Sequence, residues 1–253
     1  MEKSAAAVVV DTKTEIRQRD IPRPVGTEVL VKIEAAGHTV VDTRYIMRVP
    51  EDIAAEDAAP ILCAGTTAYR ALRLADLKPG QWVGIVGCGG GLGHLAVQYA
   101  KALELRVLGI DSTDKESICR TLGTDVFIDF TQTKASLMSM YKHHNVIRVT
   151  DGGTHGVLVV SSSPKAYEQA LRYVRKMGAL VCIGIRPEYF VAKGVRLLGS
   201  STGTMNDTKE ALDFVRDGRV KPITVKKKLG DIQECLTAIE AGEIVGRYII
   251  SAT

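Results

Sequence analysis

The sequence is poor in the features that would assign it to several large protein classes. Its five cysteines, Cys63, Cys88, Cys119, Cys182 and Cys235, are odd in number and widely scattered. No CxxC pair occurs, so neither a disulfide framework nor a paired-cysteine zinc site is readable, and a reducing compartment is expected. No uninterrupted apolar stretch could span a bilayer, and the apolar run in the opening MEKSAAAVVV is too short for a signal peptide. Clustered positive charge is equally scarce. Lys226-Lys227-Lys228 is the one basic run in a chain of net charge +4, and a solvated strand end accounts for it. No nucleic-acid motif accompanies it, so neither nucleic acid nor membrane is expected as a partner. Internal repeats and low-complexity linkers are also missing. What these exclusions leave is the expectation of a soluble, cytoplasmic protein.

What is present suits a globular enzyme or binding domain. The 253 residues are 45% hydrophobic and 25% charged, enough apolar material for a real core in one large α/β domain, alone or with a smaller companion. The stretch that organises the chain is QWVGIVGCGGGLGHLAVQYAKALELRVLGID, from Gln81 to Asp111. Trp82–Val86 is short and apolar enough to be a buried strand. Gly87-Cys88-Gly89-Gly90-Gly91-Leu92-Gly93 follows, where the backbone turns sharply and nothing larger than hydrogen blocks an approaching phosphate. His94–Leu103 has helical spacing of Leu95, Val97 and Ala100, and a second apolar run ends in Asp111. Strand, glycine turn, helix, strand, acid is the order that binds a dinucleotide, with pyrophosphate at the helix N-terminus and the acid on a ribose hydroxyl. A 2′-phosphate would meet like charge at Asp111, so NAD is expected rather than NADP. The plainer reading of Asp111 is a solvated residue at a strand end.

Around this core the chain reads as follows. Ala5–Val10 and Glu28–Glu34 are strand-like and joined by a polar segment; Ala54–Ala59 is a helix halted by Pro60, and Thr66–Leu74 is helical. Beyond Asp111 come helix Lys115–Leu122, strand Val126–Asp129, helix Ser136–Lys142, strand Gly156–Val160, helix Lys165–Lys176 capped by Gly178, and strands Ala179–Gly184 and Val195–Gly199. The tail reads helix Asp207–Arg216, strand Lys221–Lys227, helix Ile232–Ala241, strand Tyr248–Ser251. Strands alternating with helices predict a doubly wound parallel sheet, a Rossmann arrangement, with a smaller module beside it.

With AAPILCAGTTAYRAL, GGGLGHLAVQYAKAL, VLGIDSTDKES, FIDF, DGGTHGV, EALDF and VGRYII in view, the chain resembles the zinc-containing medium-chain alcohol dehydrogenases, most closely the fungal (yeast-type) branch. The resemblance runs from about Val49 onward, and IPRPVGTEVLVKIEAAG is similar to the start of that family's GroES-like catalytic domain. It implies residues 1–62 as a remnant of that domain, 63–201 as the NAD-binding domain, and 202–253 as a segment returning to the remnant. It further implies that Gly87, Gly89, Gly90, Gly91, Leu92 and Gly93 hold the pyrophosphate and that Asp111, with Lys115 beside it, holds the adenosine ribose. Ser161 and Ser162, and Ile183-Gly184-Ile185, would flank the nicotinamide, and Arg247 would reach the phosphates. Each has an ordinary alternative: Lys115 as a surface lysine, the serines as turn residues, Arg247 in a surface ion pair.

The departures from the family bear on activity. After Asp42, roughly a hundred residues of the family's pattern are absent, judged from usual domain sizes. They hold most of the substrate domain, the structural-zinc lobe and the glycine-histidine-glutamate motif that supplies a histidine to the catalytic zinc. Thr39 stands where the family has a cysteine ligand, and only Cys63 matches a catalytic-zinc ligand. Catalytic zinc needs three protein ligands, so zinc is not expected, and Cys63 reads as a small buried thiol. Val40-Val41 offers no hydroxyl for the family's proton relay, and Met205 stands where a phosphate-binding arginine is usual. Arg186–Gly194 is shorter than the stretch that helps form the subunit contact, which leaves a homo-oligomer open. Three readings stay open. One is an NAD-dependent oxidoreductase on a small alcohol or carbonyl, such as a secondary-metabolite intermediate, working without zinc, with Thr39, His38 and Thr66 the nearest donors by sequence. The others are a non-catalytic NAD- or partner-binding module and a truncated gene product.

Overall fold

The structure, a computed structural model, describes residues 3–10, 13–20, 28–33, 37–42, 46–131, 146–161, 163–183, 196–200 and 202–251. Two compact units form, one from residues 1–51 with 224–253 and the other from residues 52–223.

The larger unit is built on six parallel strands: β5 (Trp82–Val86), β6 (Arg106–Asp111), β7 (Val126–Asp129), β8 (Thr154–Val159), β9 (Val174–Cys182) and β10 (Arg196–Gly199). Their order across the sheet is β10-β9-β8-β5-β6-β7. Each strand expected from an apolar run is there, because a parallel sheet covered on both faces needs strands that are apolar throughout. β5 is buried along its whole length. It lies between β6 and β8, so the chain reverses direction across the sheet there, the position at which open α/β sheets take ligands beyond their strands' carboxyl ends.

Helices cover the sheet. Trp82, Leu108, Val157 and Leu180 pack with Tyr167, Ala170 and Tyr173 of α5 (Pro164–Tyr173). α2 (Thr66–Ala75), α3 (Gly93–Ala102) and α6 (Met205–Arg216) share an aromatic cluster. In it Tyr69 lies 5.5 Å from Tyr99 and 5.7 Å from Phe214, ring centre to ring centre. Tyr69 also donates to Glu210 at 2.6 Å, so α6 is tied to α2 by both apolar and polar contacts. A capping box at Thr204 and Asp207 starts α6. α4 (Glu116–Thr121) follows a single 3₁₀ turn and ends at Gly123, whose φ of +105° suits the glycine expected as its cap.

Three expectations change. Pro60 does not halt a helix: α1 (Ala55–Pro60) continues through a π turn, Ile61–Gly65, into α2. The wider turn accommodates a residue with no N–H to give the preceding coil. α5 stops at Tyr173 rather than Lys176, because β-branched Val174 turns extended and pairs with Thr154. Gly178 is therefore no helix cap. It lies inside β9, where a Cβ would stand 2.6 Å from Val174 Cγ2 and 2.9 Å from His155 O. The helix expected at Ser136–Lys142 lies outside the described residues.

In the smaller unit β1 (Lys3–Val10) pairs antiparallel with β2 (Lys13–Asp20), and β3 (Glu28–Ile33) with β4 (Gly37–Asp42). β11 (Thr224–Lys228) and β12 (Arg247–Ser251) pair in parallel across the connection that contains α7 (Ile232–Glu240). Polar β2 and the GHTVVD of β4 are strands that the sequence had not signalled.

Candidate nucleotide-binding site

The glycine turn leaves β5 at the centre of the sheet. Gly87 takes φ +89°, a left-handed value that glycine adopts without strain, and its N–H donates to Ile110 O of β6 at 2.8 Å. Gly90 N–H closes back on Gly87 O at 3.2 Å. At Gly93, the first residue of α3, a Cβ would lie 1.9 Å from Gly87 O and 2.6 Å from Cys88 Cα. No side chain fits there, so the helix start can close on the turn only with glycine.

Asp111 ends β6 and is 6% exposed. Its Oδ2 accepts the Gly89 N–H at 2.8 Å and its Oδ1 accepts the Ser112 N–H at 2.9 Å. The carboxylate is thus fixed by the glycine turn itself and keeps lone pairs for a further donor. Lys115 Nζ stands 4.0 Å from Asp111 Oδ1, and a Cβ on Gly89 would meet Lys115 Cβ at 2.8 Å. Lys115, Asp111 and the turn therefore form one cluster. Ser161 follows β8 on the other side; the place of a Cβ on Gly87 is 3.8 Å from Ser161 N, and Ser161 Oγ accepts the Ser163 N–H at 3.2 Å. Ile183, just past β9, donates its N–H to Val159 O at 3.2 Å. Gly91 and Leu92 complete the turn before α3. Ser162, Gly184 and Ile185 lie outside the described residues, as does the whole of Arg186–Gly194.

Of the remaining candidates, Thr66 belongs to the same unit, and His38, Thr39 and Arg247 belong to the other. Thr66 is buried at the head of α2, with its hydroxyl 2.9 Å from Ile61 O and 2.9 Å from Thr208 Oγ1, so it serves the packing of the π turn against α6. His38 and Thr39 are on β4, paired with Lys32 and Val31 of β3, and their side chains lie outside the description. Arg247 begins β12, opposite Thr224. Cys63 is exposed on the π turn, which corrects the expectation of a buried thiol. The widened turn rotates it off the face that carries Ile61 and Ala64 inward. Among the described residues, no three His, Cys, Asp or Glu side chains come together as a metal site.

Three features escaped the sequence reading. His94 is fully buried directly after the turn, with Nδ1 3.1 Å from Gly90 O and Nε2 accepting the Ile223 N–H at 3.3 Å. Gln98, one helical turn on, accepts the Lys221 N–H at 2.8 Å. Cys88, inside the turn, lies 3.2 Å from Cys119 of α4, sulfur to sulfur. The hydrogen bond with Cys119, together with burial, pushes the Cys88 thiol well above its ordinary value. A polar pair at helical spacing after the glycines was the available signal for His94 and Gln98; nothing local marked the cysteines.

Comparison with known proteins agrees with this geometry. The family profile described as zinc-binding dehydrogenase matches residues 91–217, half of the chain. An alcohol dehydrogenase from the archaeon Aeropyrum pernix is 28% identical with a TM-score of 0.75, over 85% of this chain and 64% of that one. The chain thus spans less than two thirds of that protein's length. An acetophenone reductase from Geotrichum candidum, solved in complex with NAD, shares the fold at 20% identity and TM-score 0.83, over 99% of this chain and 98% of that one. A thermostable alcohol dehydrogenase from Pyrobaculum aerophilum does so at 16% identity and TM-score 0.80, over 99% and 100%. A parallel α/β sheet, a glycine turn clasped to an acid at the end of the next strand, and these matches lead to one conclusion: the chain belongs to the zinc-binding dehydrogenase family of alcohol dehydrogenase-like oxidoreductases.

Proposed function

We propose that this protein binds NAD on the Gly87–Gly93 turn and transfers hydride between the cofactor and a small alcohol or carbonyl compound without a catalytic zinc. The observation that carries the first part is the clasp between Gly89 N–H and Asp111 Oδ2, 2.8 Å long, beside a helix start that only glycine can occupy. The residues fit a dinucleotide: Gly91, Leu92 and Gly93 would face the pyrophosphate at the N-terminus of α3, and Asp111 would accept a ribose hydroxyl. Lys115 would lie along the same ribose, and Ser161 and Ile183 would border the nicotinamide. Arg247 remains the candidate for a further phosphate contact, and every other contact named falls within residues 63–201. When bound, the nicotinamide supplies the hydride acceptor. The chain's own part is to orient it and to hold a donor near the substrate oxygen, for which Thr39 and His38 are the candidates.

Zinc has no place in the proposal, since Cys63 is the one residue matching a family ligand and three are needed. Loss of Lewis-acid assistance removes several kcal/mol of barrier lowering, each ~1.4 kcal/mol being tenfold in rate. Turnover of simple alcohols is therefore expected to be slow. Calorimetric titration with NADH tests the binding claim; no heat at millimolar cofactor would defeat it. Assay against a panel of alcohols and aldehydes, with and without chelator, tests the rest. Activity abolished by chelator would overturn the zinc-free reading, and binding without any turnover would favour a module that holds the cofactor but does no chemistry.

A further inference from the structure

From the geometry under the glycine turn we infer that Cys88 and Cys119 are a redox-modification site, closing to a reversible disulfide that weakens cofactor binding. The effect on binding rests on the nucleotide reading above; the site itself does not. The two sulfurs are 3.2 Å apart, and a disulfide requires about 2.05 Å, so a small rotation of each side chain joins them. Both residues are fully buried, and the space they share is made by glycines. A Cβ on Gly109 would lie 2.8 Å from Cys88 Sγ, and one on Gly89 would lie 3.2 Å from Cys119 Sγ. Thr124 Oγ1 borders the same space, 3.2 Å from the Cβ position of Gly109, and makes no hydrogen bond. Burying an unpaired hydroxyl beside two thiols costs stability that an apolar filling would not.

The oxidant is a hydroperoxide, small enough to enter when short α4 opens locally. The Cys119 thiolate attacks a peroxide oxygen; the O–O bond breaks, the leaving hydroxide takes a proton to become water, and Cys119 carries a sulfenic acid. The Cys88 sulfur then attacks that sulfur, the S–O bond breaks and a second water leaves. Two thiols have lost two electrons and two protons, and hydrogen peroxide has become two waters.

Position gives the bond its consequence. Cys88 is part of the turn, and its neighbour Gly89 holds Asp111. Cys119 belongs to α4, at whose start Lys115 packs on Gly89. Joining the sulfurs draws these two walls together and moves the Gly89 N–H from its place on Asp111. NADH affinity is expected to fall about tenfold. By reciprocity NADH opposes the disulfide by the same factor, ~30 mV for a two-electron couple.

The test treats the full chain with hydrogen peroxide, maps its peptides without reduction, and titrates NADH before treatment, after it, and after dithiothreitol. The expected result is a Cys88–Cys119 cross-linked peptide lighter by two hydrogens, a Kd raised about tenfold, and recovery on reduction. Cys119→Ser is expected to give no cross-link and to keep its NADH affinity through peroxide. Recovery of both cysteines as free thiols under conditions that oxidise exposed Cys63 would overturn the site. A cross-link with unchanged Kd would overturn the coupling. A cross-link in a protein whose reduced form binds no NADH would support the site and defeat the nucleotide reading instead.

Discussion

The larger unit and the described tail of the smaller one differ in what they bury. In residues 52–223 the central strand β5 is buried along its whole length, β6 and β8 are buried over most of theirs, and apolar and aromatic side chains pack around them. In the other unit the described tail offers Leu229 and Cys235 as buried apolar side chains, while Leu236, Ile239 and Val225 stay exposed. β11 reads TVKKK and is buried nowhere along its length. One region is built on a dense core; the described tail of the other buries few apolar side chains.

That contrast can be broken or sharpened by substitution. Gly93→Val should have the largest effect, because its Cβ would sit 1.9 Å from Gly87 O. Loss of more than ~3 kcal/mol in denaturant unfolding is expected, along with loss of NADH binding; a variant that folds normally would show the turn to be looser than described. Asp111→Ala comes next. It strands the Gly89 N–H and removes the acceptor proposed for the ribose, so NADH affinity should fall roughly 10–100-fold by calorimetry, corresponding to ~1.5–3 kcal/mol for a charged hydrogen bond. Asp207→Ala should cost ~1–2 kcal/mol through loss of the α6 cap, with no change in NADH affinity.

Asp207 also carries a pH signature. Burial raises its pKa, but Thr204's N–H and hydroxyl and the Arg70 guanidinium, 3.5 Å away, outweigh burial and hold it below the ordinary aspartate value. A carboxyl lowered in the folded state contributes stability above its unfolded pKa of ~3.9, and that stability is lost as pH falls through the native value. The difference in stability between the parent and Asp207→Asn should therefore shrink under acid titration below about pH 4. The smallest effect is expected at Ile239→Ser in the smaller unit. Its side chain is 50% exposed, so stability should stay within ~0.5 kcal/mol. A larger loss would mean that the second unit has more of a core than the contrast allows.

Legibility in the sequence followed the same division. All six sheet strands could be read because burial on both faces writes a run of apolar residues, and the glycine turn could be read because Gly87 and Gly93 admit nothing else. β2 and β4 could not, since KTEIRQRD carries almost no apolar period and its strand state comes from the partner it pairs with. Val174 was hidden inside a helical pattern that its pairing with Thr154 overrode. The Cys88–Cys119 contact joins residues 31 positions apart, a meeting that only the folded helix and turn create.

His94 has one more lesson. Its Nε2 accepts a hydrogen bond from the Ile223 N–H, so Nδ1 carries the hydrogen offered to Gly90 O. A single neutral tautomer satisfies both ends. A doubly protonated ring would set N–H against N–H at Ile223, the last residue before the chain leaves the larger unit. The glycine turn and that point of departure are thus joined through one imidazole.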